Sequence, residues 1–91
     1  MIYLYLRVYK KDFGTYITYT GITTNMQKRQ QEHEKGVCRT TKRFNKSYIL
    51  KEIRYIQVAD KTEEQKFKRL NLLGKLNLSD NWSRFDLKQR G

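Results

Sequence analysis

The chain has 91 residues, enough for one small domain with a modest core. It carries 20 Lys and Arg against 9 Asp and Glu, a formal net charge of +11, and a sequence pI near 10.0. That balance favours a polyanionic partner, nucleic acid ahead of membrane. A hydrophobic fraction of 37% argues for folding over disorder. The single cysteine, Cys38, excludes an internal disulfide and a cysteine metal cluster. A reducing cytoplasmic setting fits.

Ile2, Leu4, Leu6 and Val8 alternate with Tyr3, Tyr5, Arg7 and Tyr9. This is strand periodicity, with an aliphatic face for the core and an aromatic-basic face elsewhere. The run is too short for a membrane helix and lacks a signal-peptide cleavage pattern. Residues 10–14 predict a hairpin loop, and Thr15 to Thr20 a second strand that Gly21 ends.

Thr24 and Gln27 fit a capping box for a helix that runs to about Lys35 and stops at Gly36. The helix is very polar. Arg29 and His33 lie four apart on its Met26 face, toward the sheet or a cleft. From Lys35 to Lys51 there is no acidic residue, while Arg39, Lys42, Arg43 and Lys46 accumulate. Lys42, Arg43 and Lys46 are the candidates for tracking a nucleic-acid backbone.

Leu50 to Val58 reads as a third strand. Asp60 and Glu63 open another helix, with Phe67, Leu70 and Leu73 as its core stripe and Gly74 as its end. Ser79-Asp80 caps a short C-terminal helix with Trp82 and Phe85. The economical architecture is a single α+β domain over residues 1–91, a small three-stranded antiparallel sheet flanked by helices.

The run from Tyr19-Thr20-Gly21 through Arg29 to His33 resembles the second motif and following helix of the GIY-YIG nuclease family. Ile2-Tyr3-Leu4-Tyr5-Leu6 resembles its first motif, although no glycine precedes the tyrosine. Tyr3 and Tyr5 both compete for the motif position. Tyr5 is preferred, because standalone members carry a similar Tyr-x-Tyr run. Glu64, with Glu63 beside it, resembles the family's metal-binding glutamate, and Asn77 an asparagine that often follows. The likeness covers residues 1–77; nothing after Asn77 carries it.

The resemblance implies a metal-dependent endonuclease that hydrolyses phosphodiester bonds in DNA. Arg29 would neutralise phosphate charge. Tyr5, Tyr19 and His33 would handle the attacking water, with Gly21 allowing close approach. Glu64 would hold Mg²⁺ or Mn²⁺. A phenol is a poor base unless neighbouring cations such as Arg29 or the metal lower its pKa. The alternative is a basic nucleic-acid-binding module that keeps the fold without the chemistry. With no appended reading domain, a monomer or homodimer would bind DNA weakly or by shape, unless a targeting protein supplies the rest.

Overall fold

The computed structural model describes residues 1–11 and 14–87. The strand β1 (Ile2–Lys10) lies at the centre of an antiparallel sheet. On one side it pairs with β2 (Tyr16–Thr23), on the other with β3 (Ile49–Val58). A two-residue strand β4 (Ser83–Arg84) follows on β3, and the spatial order is β2-β1-β3-β4. Four helices complete the fold: α1 (Met26–Lys35), α2 (Arg39–Ser47), α3 (Thr62–Lys68) and α4 (Leu72–Leu78).

The period-two pattern of β1 decides which helices go where. Its even residues, Leu4, Leu6 and Val8, are buried with Phe67 of α3 and are flanked by Leu70, Leu76 and Trp82. Its odd residues, read as an aromatic-basic face apart from the aliphatic core, line a second buried layer. Tyr5, Arg7 and Tyr9 are fully buried. Tyr5 packs with Met26 of α1 and Ile53 of β3, and the ring of Tyr9 meets Phe44 of α2 edge-on. The sheet is therefore covered on both faces, by an aliphatic layer and by a polar-aromatic one.

The sheet has four strands rather than three. The expected C-terminal helix is absent among the described residues of that segment: Ser83 and Arg84 pair with Tyr55 and Arg54, and the Phe85 amide donates to the Ile53 carbonyl at 2.8 Å. The unpaired edge of β3 supplies the backbone partners that a short terminal helix would lack. Other boundaries shift for local reasons. Gly21 sits inside β2, opposite Tyr5. The cap of α1 is Asn25, whose side chain accepts from the Lys28 amide, one residue after the expected Thr24. Gly36 ends α1 as expected, at φ 82. Gly74 does not end a helix. The chain breaks after Arg69, and Asn71 restarts it by accepting from the Gly74 amide at 2.7 Å. That restart resets the periodicity, so Leu76 turns to the core and Leu73 is left 66% exposed.

The hairpin between β1 and β2 closes through Lys11 N–H to the Thr15 carbonyl. Part of the predicted loop, Asp12 and Phe13, lies outside the described residues. Among the described residues no helix is long and apolar enough to cross a membrane.

Phe67 is the aromatic anchor of the aliphatic layer and lies 4.9 Å from the ring of Trp82, the one tryptophan. Phe67→Ala should cost about 3–5 kcal/mol. Urea unfolding followed by Trp82 emission measures this; a loss below about 1 kcal/mol would show that α3 is not anchored there.

Candidate functional site

The polar-aromatic layer gathers four of the residues singled out in the sequence. Tyr5 and Tyr19 come from neighbouring strands, Arg29 and His33 from one face of α1. The Tyr5 hydroxyl stands 2.6 Å from His33 Nε2, and Arg29 Nε donates to the same oxygen at 3.3 Å. The Tyr19 ring lies edge-on to His33 with centroids 5.1 Å apart. Tyr3 sits further out, edge-on to Tyr55, with its hydroxyl directed to Met1 Sδ. Of the two first-motif tyrosines, Tyr5 is the one that touches Arg29 and His33.

Gly21 makes this arrangement possible. The Tyr5 ring lies flat over it, and a Cβ at that position would overlap the phenol well inside van der Waals contact.

His33 Nδ1 is 2.8 Å from Thr41 Oγ1 of α2, and Thr41 donates to the Cys38 carbonyl. An arginine can only donate. If Tyr5 accepts from Arg29, its own proton is free to go to His33 Nε2. His33 is then protonated at Nδ1 and donates to Thr41. The result is a one-way chain from Arg29 through Tyr5, His33 and Thr41 to a backbone carbonyl. Asn45 of α2 fixes the other end of α1 by donating to the His33 carbonyl at 3.1 Å.

The electrostatics follow from enclosure. Burial pulls the His33 pKa down to about 3, and the charges of Arg7 and Arg29 act in the same direction. The imidazole is therefore neutral and fully buried, so it does not contact phosphate directly. Burial pushes Tyr5 up to about 12 and outweighs its hydrogen bond with Arg29. Tyr19 is raised by burial and by its hydrogen bond with Cys38, against Arg29. Arg29 does lower both phenols, but desolvation outweighs it and the net shift is upward. Burial also opposes the charge on Arg29, but hydrogen bonds with Tyr5 and Glu32 raise its pKa further. The Cys38 thiol is lowered: burial raises it, and hydrogen bonds from Thr41, Tyr19 and Thr40 outweigh that.

Arg29 is thus held on two sides. Nε goes to Tyr5 and Nη1 goes to Glu32 at 3.2 Å. The side chain is nonetheless 29% exposed, with the Tyr19 phenol also within its hydrogen-bonding reach. Arg29 and Tyr19 are the members that solvent reaches; Tyr5 and His33 lie behind them.

Several supporting residues escape a reading by motif. Arg7, fully buried on β1, donates to Tyr9 Oη at 2.8 Å, Gln30 Oε1 at 2.7 Å and Glu34 Oε2 at 2.8 Å. It ties α1 to the sheet. The signal was present: the inward stripe of α1 is Met26, Gln30 and His33, with Glu34 at its margin, too polar for a purely apolar partner. Thr41 and Asn45 gave no signal, since nothing in their spacing points to His33.

Glu64 stands apart from the cluster. It occupies the first turn of α3, which packs against β2, and pairs with Lys68 at 3.4 Å. No described hydrogen bond or ring contact links it to Tyr5, Arg29 or His33. Glu63 is its partly exposed neighbour. Asn77 is exposed at the end of α4, where its carbonyl accepts from the Asp80 amide. Among the described residues no three His, Cys, Asp or Glu gather around one point. A hard divalent ion on Glu64 would need water or phosphate for the rest of its shell and would have to displace Lys68.

Lys42, Arg43 and Lys46 are all exposed on α2. No family model, curated protein or solved structure matches the chain.

Two outcomes test the cluster. Gly21→Ala should displace the Tyr5 ring, at a cost of about 1–3 kcal/mol, and alter the His33 ring signals in NMR; unchanged signals would refute the contact. Because His33 stays neutral in the fold while the unfolded chain takes up a proton below about pH 6.5, stability should fall as pH drops from about 6.5 toward about 3. The His33 share between about pH 7.5 and pH 5 is at most about 2 kcal/mol. Urea midpoints should show a flatter pH dependence in His33→Gln; an identical slope would remove His33 from the titration.

Proposed function

We propose that the chain is a metal-dependent endonuclease acting on the phosphodiester backbone of nucleic acid, DNA in the first instance. The observation that carries the reading is the convergence of Tyr5, Tyr19, Arg29 and His33 on one cluster whose solvent-facing members are the Arg29 guanidinium and the Tyr19 phenol.

In this reading the exposed part of the Arg29 guanidinium binds a non-bridging phosphate oxygen and stabilises the charge that develops there in the transition state. Tyr5 and His33 position Arg29: Tyr5 accepts from Nε, and the chain through His33 to Thr41 holds the Tyr5 hydroxyl in that orientation. Tyr19, half-buried and neutral, orients the attacking water by hydrogen bonding. Its raised pKa keeps it protonated at neutral pH, so it directs the nucleophile rather than carrying its proton away. Glu64, with Glu63 as its neighbour, would hold Mg²⁺ or Mn²⁺ near the leaving oxygen. A divalent ion there, completed by water and phosphate oxygens, would neutralise the leaving group. Lys42, Arg43 and Lys46 supply sequence-independent affinity.

A second reading, a nucleic-acid-binding module without the chemistry, is favoured by one observation: Glu64 is engaged with Lys68 and tied by no described contact to the cluster.

Nicking of supercoiled plasmid and cutting of a labelled branched DNA, each with Mg²⁺, Mn²⁺ or EDTA, separate the two. The nuclease reading expects metal-dependent cutting that Glu64→Ala abolishes and that Arg29→Ala lowers about 10²–10³-fold in kcat. Normal cutting by either variant would overturn those roles. Salt-sensitive binding with no cutting under any metal would establish the second reading.

A further inference from the structure

The outer face of α2 has a regularity that the cluster does not use. Arg39, Lys42, Arg43 and Lys46 fall at positions i, i+3, i+4 and i+7. On a helix of 3.6 residues per turn they occupy an arc of about 100°. All four are exposed, and none takes part in an ion pair among the described residues. Arg39, Lys42 and Arg43 line a shallow groove with Thr40, of about 530 Å³. The stem of Lys42 lies against the backbone at Gly36, which directs it along the turn between α1 and α2. The opposite face of the same helix carries Thr41, Phe44 and Asn45. Those residues hold His33, the Tyr9 ring and the end of α1.

Four unpaired cations on one stripe repel each other and are relieved of that cost when a polyanion covers them. The first turn of α2 abuts the site, because Thr41 Oγ1 lies 2.8 Å from His33 Nδ1. Just past the last turn, Lys11 lies over the Tyr48 ring at 5.9 Å and extends the basic line toward the hairpin.

We propose that α2 is a backbone rail on which Arg39, Lys42, Arg43 and Lys46 bind about three consecutive phosphates of one nucleic-acid strand leading out of the Arg29–Tyr19 site. The footprint follows from dimensions. From Arg39 to Lys46 the helix advances about 10.5 Å, and the long flexible side chains extend that reach along a strand. Lys42 and Arg43 stand at nearly one level, so four cations make about three levels. The choice of nucleic acid as the polyanion rests on the phosphodiester reading above; the rail itself does not depend on cutting.

The rail is tested in EDTA, where no metal-dependent cutting can occur. Anisotropy of a short fluorescein-labelled duplex is followed from about 50 to 200 mM salt, for wild type and for R39Q/K42Q/R43Q/K46Q. The slope of log K against log salt should become shallower by about 2.7, at about 0.9 for each phosphate that the rail no longer neutralises. The variant K61Q/K66Q/R69Q, which removes charge from the region of α3, should leave the slope nearly unchanged. Glutamine suits a helix, and retained His33 NMR signals show that α2 still docks. A slope change below about 1 in the α2 variant, or an equal change in the control, would overturn the rail. So would tighter binding to phosphatidylserine vesicles than to the duplex. The two proposals fail separately. Cutting that persists at low salt with an unchanged slope sinks the rail alone, and a shallower slope without any cutting sinks the nuclease alone.

Discussion

A guanidinium buried at the centre of the sheet is the constraint on which this architecture depends. Arg7 stands on β1, with a strand on either side and helices above, where an unpaired charge would cost several kcal/mol. It is tolerated because each guanidinium nitrogen has a partner: Tyr9, Gln30 and Glu34 accept from Nε, Nη1 and Nη2, and two of those acceptors belong to α1. The burial of this charge thus dictates where α1 lies and which face it turns down. Removing either acceptor on α1 would leave the guanidinium short of a partner, so the helix cannot rotate freely on the sheet. Arg29 and His33 inherit their placement from that bond set.

What results is a division between groups that are enclosed and groups that meet solvent. Tyr5 and His33 are sealed, neutral and mutually bonded. Arg29 and Tyr19 sit in front of them. Enclosure explains why the phenols are not acidified by the nearby guanidinium: desolvation of the phenolate exceeds the attraction of a charge that is itself partly solvated. It also explains why a histidine so close to two arginines is comfortable, since as a neutral ring it has no charge for them to repel. A second division runs through α2, whose inner face completes the hydrogen-bond chain while its outer face is given over to cations.

The parts of this molecule that were legible in the sequence are those with local rules. The alternation of β1 announced a strand, and Gly36 announced the end of α1. The spacing of Arg29 and His33 placed both on the face of Met26. What was not legible depended on partners distant along the chain. The odd face of β1 read as aromatic and basic, and only the polar stripe of α1 reveals that such a face can be a core. The fourth strand was hidden because Ser83 and Arg84 have no strand character of their own; the open edge of β3 recruits them. Gly74 misled because a glycine stop and a glycine in a first turn look alike until Asn71 is seen to cap. The role of Thr41 required knowing that α2 folds back over His33. Glu64 was singled out by resemblance, and its geometry ties it only to Lys68 and β2.

The contact between Tyr5 and Gly21 also bears on how the hairpin finds its alignment. Two strands can slide past one another in steps of two residues and keep the same faces inward. Such a slip would bring Tyr19 or Thr23 opposite Tyr5 in place of Gly21. Either side chain would occupy the space that the phenol needs to reach His33. The missing side chain at Gly21 therefore works as a keyhole that only one alignment opens. The β1–β2 pairing is thus selected by volume as well as by face.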